Sequence, residues 1–321
     1  MRDTDYAYCV ARIRANERYL LKEKDISELI ECKDYDSAIR YLVDKKWLPD
    51  KMDMADSIKY QSEKLSELLR ESVPDKKDLD VLYVTNDFFN IKVAVKCHFT
   101  DKDPAAYYVE PTTLDLTKLT ENISSHQFNK IELGKGECAE ESYKTACLTE
   151  NGQNADIIID RACIDAIRNF ALEKKGSITG QICSFLCDAA NVKIALRCAE
   201  TDKKRDFTET AIGECSSLSR KELIEAILKG KEALCEYLAK TPCREGAEVY
   251  LSSAAEYEKW CDDKVIAIAK KAIFTAFGFD PVCAYYYAKL SEIKSVRIVL
   301  TGLKSGADKR EIKERVRALY V

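Results

Sequence analysis

Residues 86–102 read NDFFNIKVAVKCHFTDK and residues 187–203 read CDAANVKIALRCAETDK. Eight of the 17 positions are identical, and the two copies lie 101 residues apart. Unrelated segments of this length would share about one residue. A third register follows after the same interval, at 288–304, where AKLSEIKSVRIVLTGLK keeps only Ile293, Lys294 and Lys304 of the first copy. A fixed period is the mark of repeated architecture, and 101 residues is too long for one turn of a solenoid. Each period is therefore expected to be a small domain, with boundaries at 1–107, 108–205 and 206–321.

Composition says what those domains are made of. The 321 residues include 11 glycines and 6 prolines, where average usage gives roughly 22 and 16. Helix interiors tolerate both residues poorly, so the expected fold class is all-α. The same order of parts recurs three times. A capped segment comes first: Asp25–Trp47, Leu114–Ile131 with Asp115 as cap, and Ser219–Leu238 with Ser219 and Glu222 spaced as a capping box. A longer helix follows, over 56–72, 156–174 and 255–277, and then the repeated motif.

On a helical wheel the motif is not the one-sided amphipathic helix of an ordinary surface. Asp87, Asn90, Ala94 and Cys97 share one stripe, and Lys92 and Lys96 lie opposite. Phe88, Ile91 and Val95 form one apolar flank, Phe89 and Val93 the other. The second copy repeats this with Asp188, Asn191, Ala195 and Cys198 against Lys193 and Arg197. Such a helix packs sideways on both flanks and turns a polar edge to each of two wet spaces. Three of them would wall a central polar cavity, a pseudo-three-fold funnel. The plainer reading is that Asp87 caps the helix, Asn90 sits in its first turn, and the lysines form a solvated face.

Other function classes fit poorly. The net charge is −4 and the pI about 5.6, against the basic excess that phosphate-backbone binding favours, so nucleic acid is not an expected partner. No apolar run reaches the ~18 residues a membrane span needs, and MRDTDYAYC carries no signal core. The fourteen cysteines sit singly in apolar stripes and read as small buried hydrophobes of a reducing compartment. Cys183 and Cys187, four apart, are two ligands where a zinc site wants four. No metal and no cofactor is expected. LGKGE (133–137) and TGLKSG (301–306) lack the spacing of a phosphate loop. WCDDK (260–264) has paired acids without a third, and reads as an exposed helix start. His98 and His126 have no nucleophile motif beside them. The C-terminal KSGADKREIKERVRALYV carries six basic residues against three acids, a solvated helix or a basic contact face.

Tyr6–Leu21, YAYCVARIRANERYLL, resembles the opening of the C subunits of the V-type (archaeal-type) ATP synthases, whose eukaryotic relatives are the d subunits of the vacuolar proton ATPases. DFFNIKVAVK, DAANVKIALR and KSVRIVLTGLKSGADKREIKERVRALYV resemble that family's later motifs, so the resemblance spans essentially the whole chain. The main departure is Cys9, where alanine is expected. The resemblance implies an all-helical funnel of three similar domains that is not catalytic. One end would sit on the membrane ring of proteolipid subunits, at the cytoplasmic face. The cavity would receive the rotor shaft, made of the D and F subunits, so that torque links ATP hydrolysis or synthesis to proton or sodium transport. On that reading Asp87, Asn90, Asp188, Asn191 and Glu292 are expected to edge the cavity and accept hydrogen bonds from the shaft. Arg297, Arg310, Arg315 and Arg317 are expected to form a basic contact face. The rivals are a helical-repeat scaffold outside any rotary motor and a small-molecule enzyme in a helical fold.

Overall fold

The computed structural model describes residues 3–132, 134–149 and 152–321; Leu133 of the LGKGE stretch lies outside them. Among the described residues there are sixteen α-helices, five short 3-10 helices and no strand. The all-α class follows from the low glycine and proline content and from the caps. Asp34 accepts from Ser37 N at 2.8 Å, Asp53 from Asp56 N at 2.8 Å, Asp115 from Lys118 N at 3.1 Å and Ser219 from Glu222 N at 3.3 Å. Each satisfies a backbone donor that a helix start leaves open.

Two expected helices are broken. The segment opening at Asp25 divides into Glu23–Ile30 and Tyr35–Asp44. Asp25 is not the cap; it lies inside the first turn and reaches back to Lys22 N at 2.9 Å. Arg220–Leu228 and Lys231–Leu238 are separated by Gly230, whose φ of 104° a side chain would oppose. The longer helices run Met54–Ser72, Gly152–Glu173 and Ala254–Ala269. The motif sits in Asp80–Thr100, Ile178–Glu200 and Asp280–Ser305, hereafter the first, second and third motif helices.

The chain forms two compact units. One comprises Met1–Asp78, Gly176–Ile182 and Ser252–Val321; the other comprises Leu79–Lys175 and Cys183–Leu251. These divisions do not fall at 107 or 205. In the first unit, residues from the start and the end of the sequence share one core. Ile26, Leu29 and Ile30, then Ala38, Ile39 and Leu42, recur at helical spacing and pack with Val296, Val299 and Leu300 of the third motif helix. Ile312 and Leu319 close the same cluster. In the second unit, the first motif helix packs on Leu116–Ser124, Lys135–Thr149 and Gly152–Glu173, the helices that follow it in sequence. A motif helix thus belongs with the segment after it, and the third is matched instead by the segment that begins the chain.

All fourteen cysteines are free thiols, and eight are buried, among them Cys183 and Cys187 on one helix. Burial pushes Cys138, Cys183, Cys215 and Cys243 up to about 12, so at neutral pH they are neutral thiols and poor nucleophiles. Among the described residues no set of three histidine, cysteine or carboxylate groups is placed to hold a metal ion. Titration of the native protein with a thiol-disulfide reagent at pH 8 should modify exposed Cys147 first. The buried thiols should appear only when denaturant is added; rapid reaction of all of them in the native protein would contradict this core.

Candidate functional site

The polar stripe of the first motif helix does not face a wet space. Asp87 and Asn90 are both 0% exposed. Asp87 lies two turns inside its helix, so it is not that helix's cap either. Its carboxylate accepts from Thr113 N at 2.9 Å, from the hydroxyls of Thr112 and Thr113, and from Lys135 Nζ at 2.7 Å. Asn90 pairs with Val109 in both directions. Its Oδ1 accepts from Val109 N at 2.8 Å, and its Nδ2 donates to Val109 O at 2.9 Å. Together they clamp the loop that leads into the helix starting at Leu116.

The second motif helix makes the same clamp. Asp188 accepts from Ser216 N at 2.8 Å, Ser217 N at 2.9 Å and Ser217 Oγ at 2.6 Å. Asn191 Oδ1 accepts from Gly213 N at 2.9 Å, and its Nδ2 donates to Glu214 O at 3.3 Å. The held loop again leads into a short helix, the one starting at Arg220. PTTLDLTKL (111–119) and CSSLSRKEL (215–223) place paired hydroxyl residues at the same point, where each carboxylate needs them.

The third motif helix keeps the clamp and changes its chemistry. The positions of Asp87 and Asn90 are Lys289 and Glu292 in this register. Glu292 is 1% exposed and accepts from Leu21 N at 2.5 Å, from Trp47 Nε1 at 2.7 Å and from Lys289. Lys289 also lies over the Trp47 ring, 5.4 Å from its centroid, a cation–π contact. Leu21 stands just before the helix starting at Glu23, so the held loop again leads into a short helix. Its residues at the hydroxyl positions are Tyr19 and Leu20. Without paired hydroxyls an aspartate there would lack donors. A lysine paired to a glutamate leaves neither charge alone.

The expectation that Asp87, Asn90, Asp188, Asn191 and Glu292 form an open polar edge is therefore corrected. The chain's own loop amides occupy their acceptor atoms, and burial removes them from direct contact with a partner. An unpaired buried carboxylate costs several kcal/mol, so the fold that buries them must also bring those donors. On the opposite stripe Lys96, Lys193 and Arg197 are exposed, as the solvated-face reading expects, and Lys92 is half-buried. Lys92 pairs with Asp160, and Lys96 with Asp156 at 2.6 Å, both on Gly152–Glu173.

Of the four arginines, Arg297, Arg310 and Arg315 are exposed. Arg317 instead donates from Nε to Asp262 at 2.9 Å, which also takes Lys294 at 2.6 Å. Asp263 accepts from Ala318 N at 2.6 Å. The acids of WCDDK thus lie within Ala254–Ala269 and pin the C-terminal tail; they are not an exposed helix start. Beyond Ser305 the tail is helical only over Lys309–Arg315. Sequence reasoning missed this role, because Asp263 and Ala318 are 55 residues apart and share no local pattern. It also missed that both histidines meet one hydroxyl. Tyr143 Oη lies 2.7 Å from His126 Nε2 and 3.3 Å from His98 Nε2.

In the first unit a cavity of about 350 Å³ adjoins Lys289, lined by Arg12, Asn16, Lys46, Trp47, Gln61 and Tyr285 among others. No histidine or cysteine lines it.

The sequence model of the ATP synthase (C/AC39) subunit family matches residues 9–315. The chain belongs to that family. It is also similar to the C subunit of a V-type sodium ATPase from Enterococcus hirae, with 22% identity over 320 residues, covering 96% of this chain and 97% of that one.

Replacing Asp87 by alanine leaves Thr113 N and the hydroxyls of Thr112 and Thr113 without their acceptor in the interior, and leaves Lys135 with Glu132 as its remaining carboxylate. The isolated protein should lose about 3–5 kcal/mol of stability in urea unfolding, and Asp188→Ala should act in the same direction. A residue that only met a partner would leave the unfolding midpoint of the isolated chain in place.

Proposed function

We propose that this protein is a non-catalytic adaptor of a rotary V-type ATPase, joining the central shaft to the membrane proteolipid ring. The observation that carries this reading is the family match from residue 9 to residue 315, reinforced by end-to-end similarity to the sodium ATPase protein. The adaptor's work is mechanical. Torque produced by ATP chemistry elsewhere passes through it to the ring, or returns from the ring during synthesis, and protons or sodium ions move in other subunits. No bond is made or broken in this chain.

The clamps suit that task. Charged and amide side chains tie each entry loop to a motif helix, and hydrogen bonds to charged groups are worth about 1.5–3 kcal/mol each. A loop held at its backbone keeps its shape under load. Three like clamps favour three like helical domains around a pseudo-three-fold axis, with a central polar cavity for the D and F subunits of the shaft. In this reading the clamped loops, rather than the buried side chains beneath them, shape the contact surface. Exposed Arg297, Arg310 and Arg315 offer a basic face to an acidic partner; Arg317 is committed to Asp262. Among the described residues no helix is long and apolar enough to cross a membrane, which fits attachment at the cytoplasmic face through other subunits.

Affinity capture of the tagged chain from its native host should recover proteolipids together with ATPase head subunits. Capture without them would overturn the proposal. Arg310→Glu with Arg315→Glu should reduce that recovery severalfold while leaving the melting temperature of the isolated chain unchanged. Unchanged recovery would remove these arginines from the contact face.

A further inference from the structure

The segment KKAIFTAF (270–277) departs from its counterparts in the repeat. At the same register, Phe274 stands where the earlier copies have Glu173 and Ser72, and Phe277 where they have Gly176 and Asp75. Of its three large apolar residues only Ile273 has an apolar counterpart, Leu172. Phe274 is 94% exposed, Phe277 51% and Ile273 40%. A phenylalanine so fully in water, with two apolar neighbours also outward, is costly to solubility and marks a contact surface.

The segment is built to hold that posture. Arg14 Nη2 donates to Ala272 O at 2.7 Å and to Thr275 O at 3.0 Å. Its Nη1 is fixed on Glu17 at 2.6 Å. Ala272 is fully buried, and Lys271 Nζ donates to Gln181 Oε1 at 3.0 Å. The underside of the short helix Lys270–Phe274 is thus pinned, and its apolar side chains are left outside. Lys270 and Lys271 are exposed beside them.

We infer that this hook inserts into a lipid surface bearing anionic headgroups. An outward phenylalanine pair with an isoleucine needs an apolar phase and no matching groove. Adjacent lysines meet headgroup phosphates at the depth the rings would leave them. The chain's net charge of −4 opposes a general attraction to such a surface, so binding is local to the hook. The rotor-adaptor reading supplies the membrane within reach; the vesicle experiment stands without it.

The test is flotation of the purified full chain with phosphatidylcholine vesicles, with and without phosphatidylglycerol. The chain should float with the phosphatidylglycerol vesicles and more weakly with phosphatidylcholine alone. Phe274→Ser with Phe277→Ser should lower the bound fraction about tenfold. Lys270→Gln, which leaves the Lys271–Gln181 bond in place, should narrow the difference between the two lipids, as should high salt. Phe274, Phe277 and Lys270 are exposed, so the melting temperatures of these variants should match the parent. A parent chain that floats with neither vesicle, or phenylalanine variants that float like the parent, would overturn the inference. If vesicles fail but the phenylalanine variants lose proteolipids in affinity capture, the hook contacts protein and the lipid assignment is wrong, while the rotor reading stands. If the parent floats but captures no other part of an ATPase, the rotor reading fails and the lipid site stands.

Discussion

A carboxylate or carboxamide taken into a protein interior must find donors there, or the fold loses more than the burial gains. Each motif helix carries such groups inward at the same register. The donors are the backbone amides of a loop that precedes a short helix: Thr113 and Val109, Ser217 and Gly213, and Leu21. This pairing fixes which segment each motif helix packs against, and through it the path of the chain. The apolar flanks then add area on a course the polar contacts have set.

The third clamp shows what the constraint requires and what it leaves free. Paired hydroxyls beside the loop support an aspartate in the first two copies. Where Tyr19 and Leu20 replace them, the aspartate position becomes Lys289 and the amide position becomes Glu292, which brings its own counter-ion. The buried carboxylate keeps its donors while the residue types at both positions change. The loop it holds lies near residue 21, so the first residues of the chain complete the last copy of the motif.

Much of this was legible in the sequence. The helical class and the sites of Asp115 and Ser219 as caps follow from local pattern and low glycine content, and the structure agrees. The wheel correctly showed Asp87 and Asn90 on one stripe, but a wheel gives direction and not what lies there. A polar stripe reads the same whether it meets water or a loop 19 to 26 residues away. Signals for the second case were present in the paired hydroxyls of PTTL and CSSL, which recur with the aspartates and vanish with them. The partnership of Asp262 with Arg317, and of His98 with His126 through Tyr143, had no such signal. Those contacts depend on how separate helices come together, which no short-range periodicity encodes.

The claim that the repeated polar stripe is an internal clamp is open to one direct measurement. Native-state hydrogen exchange of the isolated chain reads the loop amides of Leu21, Val109, Thr113, Gly213 and Ser217 one by one. These amides donate to buried side chains and lie in loops, outside regular helix ladders. The account predicts exchange slowed about a thousandfold or more relative to unstructured peptide, approaching the helix core and set by large-scale opening. Exchange at the rate of exposed loops would mean that the stripe faces solvent after all, and the clamp would have to be abandoned.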